Sequence, residues 1–273
     1  MAHNVIYALL LTLMAGLATG IGSLIAFFTR KTNTRFLSIS LGFSAGVMIY
    51  ISFMEMLFSA RLEIGQILGN GKTGDIVAIA TFFGGIALAA IIDKMIPASE
   101  NPHELHSVEE LDGGNGTQSH IHTKSLKHTG FITALAIGIH NFPEGIAAFM
   151  TAYEDVGVGI AIAIAIAIHN IPEGVAVAVP IYYATGNKKK ACMYSMLSGL
   201  AEPIGALIAF AILMPFITPM LISCTMSIVA GIMVYISFDE LLPAAHQYGQ
   251  SHLAIAGLVA GMIVMATSLI LLV

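Results

Sequence analysis

Long apolar runs separated by short polar stretches dominate the pattern along this chain. Eight such runs occur, near residues 4–28, 35–58, 75–96, 129–152, 156–182, 190–213, 217–240 and 252–273. At ~1.5 Å per helical residue, each run is long enough to cross a hydrocarbon core of ~30 Å. Membrane-spanning β-strands need only about half this length, so the pattern favours helices over a barrel. It predicts an all-α polytopic membrane protein with eight transmembrane helices.

One run has an ambiguous period. Between Gly157 and Ile168 the residues are mostly alternating Ile and Ala. A period of two usually indicates a strand. Here neither alternating set is polar, so the alternation defines no face toward water. The run is also long enough to span a membrane as a helix, which is the structure we predict for it.

The composition agrees with a location in the membrane. The chain has 273 residues, of which 57% are hydrophobic and 10% are charged, and its mean hydropathy is +0.86. A soluble domain carries about 25% charged residues. We therefore expect a multi-pass protein of the cytoplasmic membrane that contacts the lipid bilayer. There is no basic patch beyond Lys188, Lys189 and Lys190, so nucleic acid is not an expected partner.

The basic residues predict the orientation of the spans. Positive residues concentrate in cytoplasmic loops. One side of the predicted topology carries nine of the eleven basic residues: Arg30, Lys31, Arg35, Lys94, Lys124, Lys127, Lys188, Lys189 and Lys190. The opposite side carries only Arg61 and Lys72. This asymmetry predicts that the first set is cytoplasmic and that both termini are outside.

The chain also repeats itself. The first span matches the sixth at an offset of 183 residues, and the second matches the seventh at 185, while the third and eighth share only small residues around Gly85 and Gly261. Matched spans run in opposite directions in the predicted topology, which indicates a 3+2+3 inverted-repeat bundle. The predicted regions are a first three-helix repeat (1–96), a flexible cytoplasmic His-containing loop (97–128), a central helix pair with the metal site (129–182) and a second three-helix repeat (190–273).

Two features leave alternatives open. The 97–128 loop contains five histidines, and weak metal binding and a merely solvated loop are both compatible with its composition. Small residues four apart, in the pairs Gly16/Gly20, Gly42/Gly46 and Gly257/Gly261, allow close helix approach. Packing inside the bundle is the favoured interpretation of these pairs, and a homodimer is the alternative.

A six-residue phrase occurs twice within apolar runs. His140-Asn141-Phe142-Pro143-Glu144-Gly145 recurs 29 positions later, from His169 to Gly174. On a helix, residues four apart share a face, so each His lies on the face of its Glu. The two copies lie at matched distances from the turn between the fourth and fifth spans, near the middle of the bilayer. Ionisable groups at that depth indicate a functional site.

A third buried acid is predicted in the sixth span. Glu202 lies near the midplane, and its counterpart in the first span is Thr19, so the repeat is asymmetric at this position. Imidazole nitrogen with carboxylate and amide oxygen suits divalent ions such as Zn²⁺, Fe²⁺, Co²⁺ and Mn²⁺. We expect such an ion as the transported substrate and no resident cofactor. The candidate metal ligands are His140, Asn141, Glu144, His169, Asn170, Glu173 and Glu202.

At these motifs the chain resembles the ZIP (Zrt/Irt-like) metal transporters. The doubled His-Asn-x-Pro-Glu-Gly phrase, eight spans and the stretch Gly199-Leu200-Ala201-Glu202-Pro203 carry the resemblance. It implies a binuclear site for uptake of divalent metal into the cytoplasm. The implied zinc-preferring ligands are His140, Glu144, His169 and Glu173. A second, oxygen-rich position is implied to use Asn141, Glu144, Asn170, Glu173 and Glu202.

Two other classes of function remain as alternatives. An intramembrane metal-dependent hydrolase needs an open metal position and a general base. The His-Glu-x-x-His motif is absent from the sequence, and a doubled, symmetric phrase fits a transport path better than a one-sided active site. A metal-sensing receptor without conduction is the other alternative, and it depends on the long loop. We predict a transporter with alternating access rather than an enzyme.

Overall fold

The protein is a bundle of long helices in the computed structural model. The structure describes residues 2–28, 34–95, 141–213, 216, 218–248 and 251–272. Within these ranges the backbone is helical apart from short turns, and no strand occurs. The predicted all-α class is therefore confirmed. The predicted loop 97–128 and the first part of the predicted span 129–152, including His140, lie outside the described residues.

Eleven α-helices, α1 to α11, make up most of the described residues. Their bounds are α1 Ala2–Phe28, α2 Thr34–Ile51, α3 Leu57–Ile67, α4 Gly71–Met95, α5 141–154, α6 Val156–Thr185, α7 Lys188–Gly199, α8 Ala201–Ile208, α9 Pro219–Ile236, α10 Leu242–Tyr248 and α11 Ser251–Leu272. Three π-helical segments continue some of them: π1 Ser52–Met56, π2 Ala209–Leu213 and π3 Ser237–Leu241.

Seven described stretches are long and apolar enough to cross a membrane. They are Val5–Leu24, Ser38–Ile67, Gly71–Lys94, Val156–Val175, Lys188–Ile212, Pro219–His246 and Ser251–Leu271. They correspond to seven of the eight predicted spans. The large side chains on the outer surface are apolar as well, with Ile270 81% exposed and Leu271 76% exposed. Such a surface is suited to lipid rather than to water.

A one-residue turn joins the two helices that carry the repeated phrase. Asp155 has an extended backbone, and its side chain accepts hydrogen bonds from the amides of Gly157 at 2.7 Å and Val158 at 3.1 Å. This N-cap satisfies amides that the first turn of α6 leaves unpaired. From there α6 continues through the alternating Ile and Ala residues to Thr185, so the predicted helix is confirmed. The short turn makes α5 and α6 neighbours along the chain.

The sixth predicted span is interrupted at Leu200. Pro203 has no amide hydrogen and leaves the carbonyl of Gly199 without its helical donor. α7 accordingly ends at Gly199, and α8 begins at Ala201. The amides on either side of the proline remain paired, with Leu200 donating to Met196 at 3.0 Å and Ile204 donating to Leu200 at 3.2 Å. The break places Glu202 in the first turn of α8.

Glycines bring α2 and α11 into backbone contact. A methyl group on Gly42 would overlap the carbonyl of Ala254, and one on Gly46 would overlap that of Leu258. From the other side, Gly257 is equally close to Ile39, and Gly261 to Phe43. These four glycines therefore pack inside the bundle, which confirms the favoured interpretation of the small-residue pairs. The homodimer stays a prediction.

The second and seventh spans each contain a π-helical segment at the same point of the repeat. π1 begins at Ser52 and π3 begins at Ser237, 185 positions later. Each serine hydroxyl donates to the carbonyl of a methionine four residues earlier, Ser52 to Met48 at 2.6 Å and Ser237 to Met233 at 2.7 Å. In both spans the helix then continues beyond the segment, into α3 and α10. Single π-turns of this kind are frequent near functional sites.

Candidate metal centre

Five of the seven predicted ligand residues have described side chains, and all five are buried. Glu144 is 1% exposed, and Asn141, Asn170, Glu173 and Glu202 are 0% exposed. They come from α5, α6 and α8. His140 lies outside the described residues. Position 169 lies within α6, but its side chain is outside the described part of the structure.

The α5 copy of the phrase packs directly against α8. A methyl group in place of the Gly145 hydrogen would overlap the carbonyl oxygen of Glu202, and one on Gly205 would overlap that of Phe142. The two helices therefore meet backbone to backbone, at glycines of both. This contact holds Glu144, which precedes Gly145, close to Glu202. The Pro-Glu-Gly order of the phrase thus places a buried acid directly before a glycine at the helix contact.

The α6 copy packs against α1 in the same manner. A methyl group on Gly174 would overlap the carbonyl oxygen of Thr19, and one on Gly22 would overlap that of Ile171. Ser195 of α7 strengthens this contact, because its hydroxyl lies within hydrogen-bond distance of both the Thr19 carbonyl, at 3.1 Å, and the Gly174 carbonyl, at 3.2 Å. Ser195 was not predicted as part of the site, since a lone serine in a helix carries no distinctive signal in the sequence.

Backbone carbonyls orient the two asparagine side chains. Asn170 Nδ2 donates to the carbonyl of Ala15 at 2.9 Å, and Asn141 Nδ2 donates to that of Ser198 at 3.4 Å. A carbonyl only accepts, so each contact requires the amide nitrogen. Asn170 Nδ2 also donates to Glu202 Oε1, which joins α6 to α8. The amide oxygens of both asparagines point away from these carbonyls.

Several oxygens in this region are buried without a hydrogen bond in the described part of the chain. They include Oδ1 of Asn141, Oδ1 of Asn170, Oε2 of Glu202 and Oγ1 of Thr19. A buried polar atom without a partner costs about 1–3 kcal/mol, and such atoms are rare in native structures. All of these atoms can donate an electron pair to a cation. Their presence together is the feature expected of a cation site.

The charge balance leads to the same interpretation. The Glu202 carboxyl experiences repulsion from both Glu144 and Glu173, while Asn170 provides a favourable hydrogen bond. No lysine or arginine occurs among the described buried side chains. Three carboxylates in a dry interior are costly when ionised unless a positive charge accompanies them. A divalent cation would supply that charge.

The carboxylates do not form a complete site on their own. Among the described residues, no group of three or more His, Cys, Asp or Glu side chains is arranged to hold a metal ion. An ion at this position therefore needs further donors, and the two amide oxygens are available nearby. Divalent metals that accept oxygen ligands are compatible with this mixture. The contribution of the two histidines stays a prediction.

Apolar membrane-spanning helices with buried carboxylates and amides at the centre are the features expected of a membrane transport protein for cations. The family described as "ZIP Zinc transporter" matches residues 93–269 of the chain. The chain is 59% identical to the zinc transporter ZupT of Lysinibacillus sphaericus, with all of both chains covered. It is 56% identical to the zinc transporter ZupT of Clostridium perfringens, covering 98% of this chain and 97% of that protein. It is also 56% identical to the zinc transporter ZupT of Nitratidesulfovibrio vulgaris, covering 98% of each.

The chain belongs to the ZIP zinc transporter family. The resemblance drawn from the doubled phrase is therefore confirmed. Because this is a family of transporters, the prediction that the chain is not an enzyme is confirmed as well. Family membership and the seven described spans also confirm a multi-pass protein of the cell membrane.

Proposed function

We propose that this protein takes up divalent metal ions, chiefly zinc, across the cytoplasmic membrane into the cytoplasm. The observation that carries the proposal is the group of fully buried oxygen donors on α5, α6 and α8, several of which make no hydrogen bond in the described part of the chain. The relatives named as zinc transporters over the full length of the chain support zinc as the principal substrate.

The transported ion is held at two unequal positions in this proposal. His140, Glu144, His169 and Glu173 form the zinc-preferring position, and Asn141, Glu144, Asn170, Glu173 and Glu202 form the oxygen-rich one. The amide oxygens of Asn141 and Asn170, which are buried and accept no hydrogen bond in the described part of the chain, support the second position, because oxygen ligands suit harder ions. The oxygen-rich position admits Fe²⁺, Co²⁺ and Mn²⁺ besides Zn²⁺.

We further propose the 3+2+3 inverted-repeat architecture for this bundle. The backbone contacts around the site support it, because they occur as matched pairs. Gly22 meets Ile171 on α6, and its counterpart Gly205, 183 positions on, meets Phe142 on α5. Phe142 and Ile171 are themselves equivalent in the doubled phrase. The asparagine contacts are matched as well, since the acceptors Ala15 and Ser198 are also separated by 183 positions.

The outer helices support the same architecture. Gly231 of α9 meets Phe82 of α4, and Gly46 of α2 meets Leu258 of α11. Gly46 and Gly231 are 185 positions apart, and Phe82 and Leu258 are 176 apart. The offset of 176 also relates Gly85 to Gly261, the weak match between the third and eighth spans. Equivalent helices thus have equivalent partners, because α2 packs on α11 and its counterpart α9 packs on α4.

Alternating access in this arrangement is a shift of one helix group against the other around the buried donors. Glycine contacts between helix backbones support such a movement, because they lack the interdigitated side chains that fix most helix interfaces. The π-helical segments π1 and π3 lie at equivalent positions on α2 and α9 and are suitable points for local rearrangement. Both termini are outside, as the basic residues predict.

Uptake of radioactive zinc into proteoliposomes tests the proposal. The double variant Glu144→Gln plus Glu173→Gln keeps the side-chain volume but removes both charges, and its uptake should fall to the level of empty vesicles. Glu154→Gln is the matched control, because Glu154 is an exposed acid on the same helix as Glu144. The control should transport at the rate of the natural protein. Undiminished uptake by the double variant would overturn the site assignment.

A further inference from the structure

Thr19 of α1 occupies the position that Glu202 holds on α8. The two residues are 183 positions apart in the repeat. Their backbone carbonyls have the same role, since that of Thr19 contacts Gly174 and that of Glu202 contacts Gly145. Only the side chains differ, a short hydroxyl on one helix and a carboxylate on the other.

The hydroxyl of Thr19 is exceptional among the described residues. The side chain is 0% exposed, and Oγ1 is the one buried hydroxyl oxygen there that has no hydrogen-bond partner. Other hydroxyls of the same helix bond to the preceding turn: Thr12 donates to Ala8 at 2.8 Å, and Ser23 donates to Gly20 at 2.6 Å. A helical threonine commonly satisfies its hydroxyl in this way, but the carbonyl of Ala15, four residues before Thr19, accepts from Asn170 Nδ2 instead.

The Thr19 side chain lies at the level of the candidate metal centre. Ala15, one turn before it on the same face of α1, accepts a hydrogen bond from the side chain of Asn170. On the other side, a methyl group on Gly199 would lie 2.8 Å from both Oγ1 and Cβ of Thr19. Gly199 is three residues before Glu202. The hydroxyl therefore lies beside the end of α7, directly before the helix that carries Glu202, and one turn from the α1 carbonyl that binds Asn170.

A hydrogen bond made in one half of the repeat has no equivalent in the other half among the described residues. Glu202 accepts a hydrogen bond from Asn170. The equivalent pair is Thr19 and Asn141, and here the threonine oxygen and the asparagine Oδ1 both lack a hydrogen bond in the described residues. Asn141 bonds to the carbonyl of Ser198, which adjoins Gly199, and Gly199 packs against the Thr19 side chain. The two oxygens without a hydrogen bond therefore lie in the same region of the bundle.

We infer that the Thr19 hydroxyl is an oxygen contact for the transported divalent cation on the Asn141 side of the site, made to the ion itself or to one of its bound waters. The inference rests on the proposed function. Thr19 sets selectivity in this account, because an added neutral oxygen favours the harder ions over zinc. Glu202 provides charge at one end of the site, and Thr19 provides a neutral oxygen at the other.

Titration calorimetry of the purified full-length protein with MnCl₂ and with ZnCl₂ tests this inference. Thr19→Val removes the hydroxyl at nearly constant volume and should weaken Mn²⁺ binding by about 10-fold, with a smaller change for Zn²⁺. Thr19→Ser restores the hydroxyl and should bind both ions like the natural protein. Thr12→Val is the matched control, because it removes a buried hydroxyl that is already hydrogen-bonded on the same helix.

The outcomes separate the inference from the proposed function. Equal Mn²⁺ affinity in the natural protein and in Thr19→Val would overturn the role of Thr19. Equal losses in Thr19→Val and Thr12→Val would also overturn it, since the effect would then be general to α1. Thr19→Ala, which adds no methyl group, replaces the valine variant if thermal melts show that the latter is unfolded. Absence of binding and of uptake in the natural protein would instead contradict the proposed function.

Discussion

The two sides of the candidate metal centre have the same backbone contacts and different side chains. On one side α6 meets α1 at Gly174 and Thr19, and on the other α5 meets α8 at Gly145 and Glu202. In each case a carbonyl from the flanking helix occupies the space where a glycine side chain would be. The residues that supply these carbonyls differ in their side chains, since Thr19 has a hydroxyl and Glu202 has a carboxylate.

This difference separates the positions that helix packing constrains, which are the glycines, from the positions whose side chains packing leaves free to differ. Glycine is required in both copies of the phrase because no larger residue leaves room for the opposing carbonyl. The residue that supplies this carbonyl is free to differ, since its side chain is not part of the backbone contact. The two copies of the phrase are therefore held against their neighbouring helices in the same way. Their surroundings differ because the equivalent positions carry different side chains, Thr19 and Glu202.

The largest effects should come from breaking the shared backbone contact. Gly145→Ala and Gly174→Ala each force a methyl group into a backbone carbonyl, so each should destabilise the protein by about 1–3 kcal/mol and strongly reduce zinc uptake. Thermal unfolding in detergent measures the stability. Gly84→Ala is the control, because no atom lies within 4 Å of the added methyl group, and it should be neutral or stabilising by up to ~1 kcal/mol. A tolerated substitution at only one phrase glycine would contradict the equivalence of the two sides.

A smaller effect should follow from removing the charge that distinguishes the two sides. Glu202→Gln retains the shape and one oxygen acceptor but loses the carboxylate. We expect about 10-fold weaker Mn²⁺ uptake and a smaller loss for Zn²⁺, because the oxygen-rich position depends most on this acid. Competition of Mn²⁺ against labelled zinc in proteoliposomes measures the change. An equal loss for both ions would mean that Glu202 serves the two positions alike.

The smallest effect concerns the turn between α5 and α6, which connects the two sides. Partial burial and the nearby Glu63 and Asp155 carboxylates raise the pKa of Glu154. Because this pKa is higher in the folded state than in the unfolded one, ionisation of Glu154 lowers stability as the pH rises through the folded-state value. Glu154→Gln should therefore stabilise the protein slightly at pH 7. We expect roughly a few tenths of a kcal/mol, because solvent screens the interactions of a charge at the surface.

The gain from Glu154→Gln should disappear below the unfolded-state pKa, near ~4.3, where the natural side chain is protonated in both states. Thermal unfolding of both proteins at pH 7 and at pH 4 measures the difference. A gain of equal size at both pH values would exclude charge as its cause.

The sequence was sufficient for the helices and for the burial of the predicted ligand residues that the structure describes. Apolar run length gave seven spans that the structure describes, and the doubled phrase located Asn141, Glu144, Asn170 and Glu173, all of which are buried. Span ends were less accurate. The second span was predicted to end at residue 58, whereas its helix continues to Ile67 through π1. Polar residues such as Arg61 and Glu63 ended the apolar pattern before the helix itself ended.

The hydrogen-bond partners at the site could not be predicted from the sequence. Asn170 and Asn141 bond to the backbone carbonyls of Ala15 and Ser198, and a backbone carbonyl has no residue identity for a pattern to reveal. The role of Gly145 and Gly174 in helix contact was likewise invisible, because it depends on which helix lies opposite. The repeat nevertheless predicted that Thr19 and Glu202 correspond, and their equivalent contacts agree with that prediction.

In the proposed mechanism, divalent metal binds between α5 and α6 at two unequal positions. Diffraction data collected at the zinc absorption edge from crystals of the zinc-loaded protein test it most directly. We expect two anomalous peaks among the candidate ligands, each at about 2.0–2.2 Å from its nitrogen or oxygen donors. Glu202→Gln should diminish the peak nearer Asn170. No peak near Glu144 and Glu173, with zinc bound only elsewhere in the protein, would contradict the account.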